Sequence, residues 1–133
     1  MRHGEMQDRL ETTIPSGVQA PGAARARLSD WLDDEVSAKA RADALLLVSE
    51  LVANSVRHAD APQGAPVRLS AVMTTDVVRL EVVDIGESGT PVRRTPDVDA
   101  GDGFGLQIVD GLAASWGTDD ALGTRVWCEL ALN

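Results

Sequence analysis

Three short segments of the chain combine residue types that could bind a phosphate-bearing ligand and a divalent ion. Glu50 and Asn54 are four residues apart in an apolar run typical of a helix, so a carboxylate and an amide share one helical face. Asp84 ends an apolar strand two residues before Gly86, and a glycine-rich run over 101–105 opens a helical pattern. The carboxylate and the amide could bind a divalent ion and transfer a proton beside it, and the helix start could bind a phosphate.

Glu50 and Asn54 each have a simple structural explanation beside the chemical one. Glu50 could lie on the solvent-exposed face of an amphipathic helix, and Asn54 could be a tolerated surface residue. Asparagine is nevertheless poor inside a helix, because its amide competes for backbone hydrogen bonds. On the functional interpretation, Asn54 is an oxygen ligand of Mg²⁺, and Glu50 lies near a γ-phosphate as general base or water-orienting group.

Asp84 and Gly86 form an Asp-x-Gly at the end of a strand. For an isolated motif of this kind, a turn is the ordinary explanation. The functional alternative is that the carboxylate accepts a hydrogen bond from an adenine amino group. Gly86 would then allow the ligand to approach closely, since it has no side chain.

The glycine run contains Gly101, Gly103 and Gly105, with Phe104 between two of them and Leu106 behind them. Glycines before a helix expose backbone N–H groups that bind phosphate with help from the helix dipole, and Phe104 could anchor the loop. A flexible linker ending in a helix cap is the alternative. A dinucleotide-binding fingerprint is disfavoured because no strand directly precedes the run, and the chain has no Gly-Lys-Ser or Gly-Lys-Thr of a P-loop.

Thr124 and His58 carry weaker signals. Thr124 follows Gly123 at the start of the last predicted strand, where an ordinary exit from a turn explains the pair. His58 lies at the predicted end of the long helix, where a histidine commonly caps carbonyl groups. We therefore do not expect His58 to be a metal ligand or a phospho-acceptor.

Composition restricts the class of protein. With 133 residues, of which 44% are apolar, the chain is expected to form one domain over 10–133 after a flexible tail over 1–9. The formal charge of −9 argues against direct nucleic-acid binding and favours partners with basic patches. Without a membrane-spanning run or a leader, a cytoplasmic protein is expected. One lysine against eleven arginines favours a GC-rich genome such as that of an actinobacterium.

Cys128 is the only cysteine. A single cysteine excludes an intrachain disulfide and a cysteine-based zinc site. The residues two positions away on each side are apolar, which predicts that Cys128 is a small core residue in a strand.

Apolar periodicity predicts the element order β-α-α-β-β-loop-α-β-β. This order implies an α/β protein, a two-layer sandwich with a mixed sheet and helices on one face. Ser37 is the expected N-cap of the second helix, and Pro21-Gly22 is expected to precede the first. The predicted elements are a strand over 10–14, helices over 23–33 and 37–58, strands over 67–73 and 78–84, a helix from about 105, and a hairpin over 116–131.

The order and spacing of the motifs resemble the N, G1 and G2 boxes of the GHKL superfamily, which has the Bergerat ATP-binding fold and includes gyrase B, Hsp90, sensor histidine kinases and MutL. The resemblance covers nearly all of residues 10–131. Within the superfamily, the chain looks most like the small, stand-alone anti-sigma factor serine kinases. The segments that carry this closer resemblance are 50–58, 103–109, 116–117 and 123–130.

The resemblance implies ATP and Mg²⁺ as cofactors and a serine/threonine kinase activity. It also implies a sigma factor as client, an anti-anti-sigma protein of the STAS type as phosphate acceptor, and a homodimer. Glu50 is the catalytic residue that it implies, Asn54 the metal ligand, and Asp84 and Thr124 the residues near adenine. The implied nucleotide-binding residues are Asn54, Asp84, Gly86, Gly101, Gly103, Phe104, Gly105, Leu106 and Thr124.

The G1 segment departs from the common Asp-x-Gly-x-Gly pattern, because Ser88 replaces the second glycine and Gly89 follows one position later. The intact Glu50 favours a kinase. One alternative is a nucleotide-gated protein-binding module without turnover. Another is the ATP-binding domain of a sensor histidine kinase, which is disfavoured because the dimerisation helices are missing.

Overall fold

Strands whose side chains mostly alternate between buried and partly exposed build the sheet, as the alternation of apolar and polar residues predicted. The computed structural model describes residues 8–15, 17–58, 66–84, 108–119 and 125–132. Its elements are β1 Asp8–Ile14, α1 Ala20–Trp31, α2 Ala38–His58, β2 Val67–Met73, β3 Val77–Asp84, β4 Ser115–Asp119 and β5 Arg125–Ala131. Residues 108–112 add a short helical segment before β4. The order of helices and strands is the predicted one.

The five strands lie in the order β1-β2-β3-β5-β4, and each of the four described pairings is antiparallel. The two-layer α/β class is confirmed, but the prediction of a mixed sheet is wrong for the described strands. β4 does run parallel to β3. The hairpin from β4 brings β5 back between these two strands, so no parallel pair is hydrogen-bonded.

The core lies between the inner face of the sheet and the two long helices. Helical spacing along α2 predicts a buried stripe of Ala44, Val48, Leu51, Val52 and Ser55, and this prediction is confirmed, since all five are buried. From the central strands, the core takes Leu69, Ala71, Val78, Leu80, Val82, Val126 and Cys128. In the described part of the chain, no helix combines the length and the hydropathy needed to cross a membrane.

Cys128 is fully buried in β5, which confirms its prediction as a core residue. Burial raises the pKa of its thiol to about 12, and the positive charge of Arg79 only partly opposes this shift. The thiol is therefore neutral at physiological pH and serves as a small apolar side chain.

The outer face of the sheet carries paired charges around one tryptophan. Arg79 donates to Glu129 at 3.1 Å and stacks on the Trp127 ring at 4.2 Å from its centroid. Arg125 lies 3.5 Å from Glu81 on the same face. These cross-strand pairs add little stability individually because they are partly exposed, but they give the outer face its polar character.

α1 begins earlier than predicted, at Ala20, so the prediction that Pro21-Gly22 precedes the helix is wrong. A proline in the first turn loses no intrahelical hydrogen bond, and its fixed φ angle suits the helix start. The helix ends at Trp31, because Leu32 adopts an extended conformation while its N–H still bonds the carbonyl of Leu28 at 2.9 Å.

The start of α2 also holds the end of α1. The predicted Ser37 cap is confirmed, since its Oγ accepts the N–H of Ala40 at 3.0 Å. Four residues after this cap, the Arg41 guanidinium donates to the carbonyls of Ser29, Leu32 and Asp33 at 3.1, 3.2 and 3.1 Å. The helix that carries Glu50 and Asn54 is thus positioned against α1 as well as against the sheet.

Candidate nucleotide-binding site

Glu50 is half-buried in the middle of α2. Its carboxylate makes no hydrogen bond or ion pair that involves the described residues. Partial exposure by itself is compatible with both the structural and the chemical interpretation of Glu50, which therefore stays a prediction.

Asn54 lies one helical turn after Glu50 and is only 6% exposed. The alternative that Asn54 is a surface residue is therefore wrong. Its Oδ1 is buried and has no hydrogen-bond partner among the residues that the structure describes. Leaving such an oxygen unsatisfied costs about 1–3 kcal/mol, and a site of this kind in a native protein calls for an explanation.

A magnesium ion fits this unsatisfied oxygen. Mg²⁺ prefers hard oxygen ligands, keeps several waters, and commonly takes one or two protein oxygens together with substrate phosphates. The described residues contain no group of three or more His, Cys, Asp or Glu side chains that could hold a metal by themselves. A site completed by phosphate oxygens would need no such group, so the chemistry of the Asn54 amide oxygen is compatible with Mg²⁺.

Ser55 is a second buried polar residue at the same place, and the sequence-based reasoning gave it no functional role. It is 2% exposed, and its Oγ has no hydrogen-bond partner in the described part of the chain. The one available sequence signal was a hydroxyl within an apolar stripe, directly after the candidate metal ligand.

Ser49 shows what a satisfied buried serine looks like on this helix. It is 7% exposed, and its Oγ donates to the carbonyl of Leu45 at 2.9 Å. The same oxygen accepts a hydrogen bond from Nη1 of Arg25 on α1 at 2.8 Å. Ser49 thus uses its hydroxyl to join α1 to α2 at the residue before Glu50.

Asp84 is the last residue of β3, as predicted, and pairs with Val67 at the start of β2. Its role in adenine binding remains a prediction. Seven other candidate residues lie outside the described part of the chain: Gly86, Gly101, Gly103, Phe104, Gly105, Leu106 and Thr124.

The segment that follows the glycine run is tied to the core and to β4. Val109 is 1% exposed, and Asp110 accepts a hydrogen bond from the indole N–H of Trp116 at 3.0 Å. The N–H of Ala114 donates to the carbonyl of Glu129 at 2.7 Å. These contacts attach the described end of this segment to the sheet that also carries Asp84.

A family model for the histidine kinase-like ATPase domain matches residues 14–129, a range that includes every candidate residue. The chain belongs to this family. Membership confirms the resemblance to the GHKL superfamily that the N, G1 and G2 motifs suggested. The roles of individual residues are a separate matter, which the match of the family model leaves open.

Comparison with curated proteins gives no match. Among solved structures, the chain is similar to the crystal structure of the RsbU and RsbW domains of Rv1364c from Mycobacterium tuberculosis, with a TM-score of 0.66 and 22% identity. The match covers 92% of this chain and 31% of that one, so the chain spans less than a third of that structure. Similarity at this level of identity shows a shared fold.

Proposed function

We propose that the protein binds ATP with Mg²⁺ and acts as an anti-sigma factor with serine kinase activity towards an anti-anti-sigma partner of the STAS type. The observation that carries this proposal is the buried, unsatisfied Oδ1 of Asn54, one helical turn from the Glu50 carboxylate. Membership in an ATPase-domain family supports nucleotide binding. The similarity to a structure that contains an RsbW domain supports the choice of an anti-sigma factor within that family.

Each candidate residue has a distinct task in this proposal. Asn54 would hold Mg²⁺ through Oδ1, and Asp84 would accept the adenine amino group. The glycines of the 101–105 run would offer backbone N–H groups to the phosphates. Bound ATP supplies the phosphoryl group. Glu50 would orient the serine hydroxyl of the partner and take its proton as the new oxygen–phosphorus bond forms and ADP leaves.

The formal charge of −9 bears on the partners in this proposal. An acidic protein associates most readily with a client that presents a basic patch, because complementary fields speed up encounter. In this proposal, the client is a sigma factor that presents such a patch. The protein is cytoplasmic and makes no direct contact with nucleic acid or membrane. The proposal also includes a homodimer, which size-exclusion chromatography with light scattering would detect.

Nucleotide binding is tested first, by thermal-shift titration of the full chain with ATP, ADP and GTP, with and without Mg²⁺. ATP and ADP should raise the melting temperature in a Mg²⁺-dependent manner. Asn54→Ala should remove most of the Mg²⁺-dependent part, because it removes the metal ligand. If no nucleotide shifts the melting temperature of the wild type, the proposal fails as a whole.

Phosphotransfer is tested separately with radiolabelled ATP and cognate STAS-type partners. Glu50→Gln should leave ATP binding nearly intact and reduce transfer by roughly 10²–10⁴-fold, the usual range for the loss of a general base. Glu11→Gln is the matched control, because Glu11 is exposed on the edge strand β1. A wild type that binds ATP but transfers no phosphate would refute the kinase and favour the nucleotide-gated binding module.

A further inference from the structure

Two arginines join α1 to α2, one from each helix. Arg41, in the first turn of α2, donates to the carbonyls at the end of α1. Arg25, in the first half of α1, donates from Nη1 to the Oγ of Ser49 at 2.8 Å. The two helices therefore run antiparallel, and the two contacts hold α2 at its first turn and again in its middle.

The hydroxyl of Ser49 is held from two sides. Its Oγ donates to the carbonyl of Leu45 at 2.9 Å while it accepts the bond from Arg25, and the residue is buried. A serine hydroxyl has one hydrogen to donate, so these two bonds fix its orientation. A serine that bonds the carbonyl four residues earlier often bends its helix, so the turn from 45 to 49 influences the direction in which α2 continues.

Glu50 comes directly after this turn. Its carboxylate makes no hydrogen bond or ion pair with the described residues, so the position of the carboxylate depends on the backbone of α2 and on packing. A general base acts only within hydrogen-bond reach of the proton that it takes, and a displacement of about 1 Å can cost roughly 10²-fold in rate. A contact that fixes the residue before the base can therefore affect the rate of transfer.

We propose that Ser49, held by Arg25, is a positioning residue for Glu50 in phosphoryl transfer. This inference rests on the proposed function and deepens it. Ser49 and Arg25 contact neither ATP nor the acceptor serine. They fix the backbone of α2 immediately before Glu50, and this backbone sets the geometry in which the carboxylate meets the acceptor hydroxyl. In the proposed site, nucleotide affinity comes from several elements, including Asp84 on β3, so it is less sensitive to this contact than the rate is.

The test measures kcat and KM for phosphotransfer by the full chain from radiolabelled ATP to a cognate STAS-type partner. Ser49→Ala should lower kcat by roughly 3–10-fold, the effect of one lost hydrogen bond, and should change the KM for either substrate by less than about twofold. Arg25→Ala should give the same pattern from the exposed side of α1. The double variant should be no slower than Ser49→Ala, because the two residues form one contact.

Ser29→Ala is the matched control. The hydroxyl of Ser29 also accepts a hydrogen bond from an arginine across these two helices, since Nη1 of Arg41 lies 3.3 Å away. This contact lies near the end of α1 and the first turn of α2, away from Glu50. Ser29→Ala should therefore keep kcat within about twofold of the wild type, as expected for loss of a bond outside the site.

A Glu50→Gln background separates positioning from general support of the fold. If Ser49 acts through Glu50, Ser49→Ala should slow transfer by the wild type but cause no further loss in Glu50→Gln, with both rates measured in single turnovers. An equal loss in the two backgrounds would make Ser49 a structural residue and overturn the inference.

Two other results would also overturn it. An unchanged kcat in Ser49→Ala would show that the contact with Arg25 only stabilises the fold, an effect that a lower urea midpoint would register. A higher KM for the partner at unchanged kcat in Arg25→Ala would make Arg25 a docking residue instead. A wild type that binds ATP but transfers no phosphate is a different result, because it refutes the proposed kinase and this inference with it.

Discussion

Arg41→Ala should destabilise the protein, because this side chain on α2 caps the end of α1. Its guanidinium donates to the carbonyls of Ser29, Leu32 and Asp33 at 3.1–3.2 Å. It also donates to the Ser29 hydroxyl at 3.3 Å. The last carbonyls of a helix have no intrahelical partners, so a cation at this position satisfies them and also interacts well with the helix dipole. Alanine would leave these groups to water.

The expected loss is about 2 kcal/mol. A buried hydrogen bond to a charged group contributes about 1.5–3 kcal/mol, so three such bonds, if buried, would contribute more than the expected loss. Arg41 is only partly buried, however, so water replaces much of what is lost. For a domain of this size, a loss of this magnitude lowers the melting temperature by about 6–10 °C.

Urea unfolding followed by circular dichroism measures this loss as a lower midpoint at unchanged slope. Arg41→Lys should fall between the wild type and Arg41→Ala, because an ammonium group keeps the charge but cannot reach all three carbonyls. Lys39→Ala is the control, since the exposed Lys39–Asp43 pair at 2.7 Å is worth no more than about 0.5 kcal/mol. If Arg41→Ala matched Lys39→Ala within that margin, the capping argument would be refuted.

Three further predictions concern other parts of the molecule. Asp84→Asn should weaken ATP binding by about 1–3 kcal/mol in calorimetry, and unchanged affinity would remove Asp84 from the adenine site. Gly117→Val should lower the free energy of unfolding by about 1–3 kcal/mol and change tryptophan emission, because a Cβ at this position would lie 3.0 Å from Cζ2 of Trp127. A variant with wild-type stability and emission would disprove this tight contact. Since burial raises the pKa of Cys128 to about 12, iodoacetamide at pH 8 should label the thiol only after unfolding, and rapid labelling of the folded protein would contradict its burial. The raised pKa also makes the free energy of unfolding depend on pH. The contribution of the thiol is fully present below about pH 8.5, the ordinary thiol pKa, and should decline as the pH rises towards 12.

Local patterns predicted the order of the helices and strands correctly, and they place two of the candidate site residues on one helix. The Ser37 cap, the hairpin of β2 and β3, and the buried stripe of α2 all follow from interactions between residues close in sequence. The i, i+4 spacing of Glu50 and Asn54 belongs to the same class, because helix geometry alone places them on one face. Sequence by itself was therefore sufficient for the family motifs and for the helix that carries them.

Contacts between distant segments decided the rest. Sequence could not show that β5 lies between β3 and β4, because strand order depends on which surfaces pack together, and the expectation of a mixed sheet failed for that reason. The burial of Asn54, the unsatisfied hydroxyl of Ser55 and the reach of Arg41 to the end of α1 likewise depend on how α2 packs against α1 and the sheet. The sequence of a helix does not show whether a polar residue is solvated or buried without a partner. Only the tertiary structure distinguishes the two, because the free energy of a polar group is set by the neighbours that replace its water.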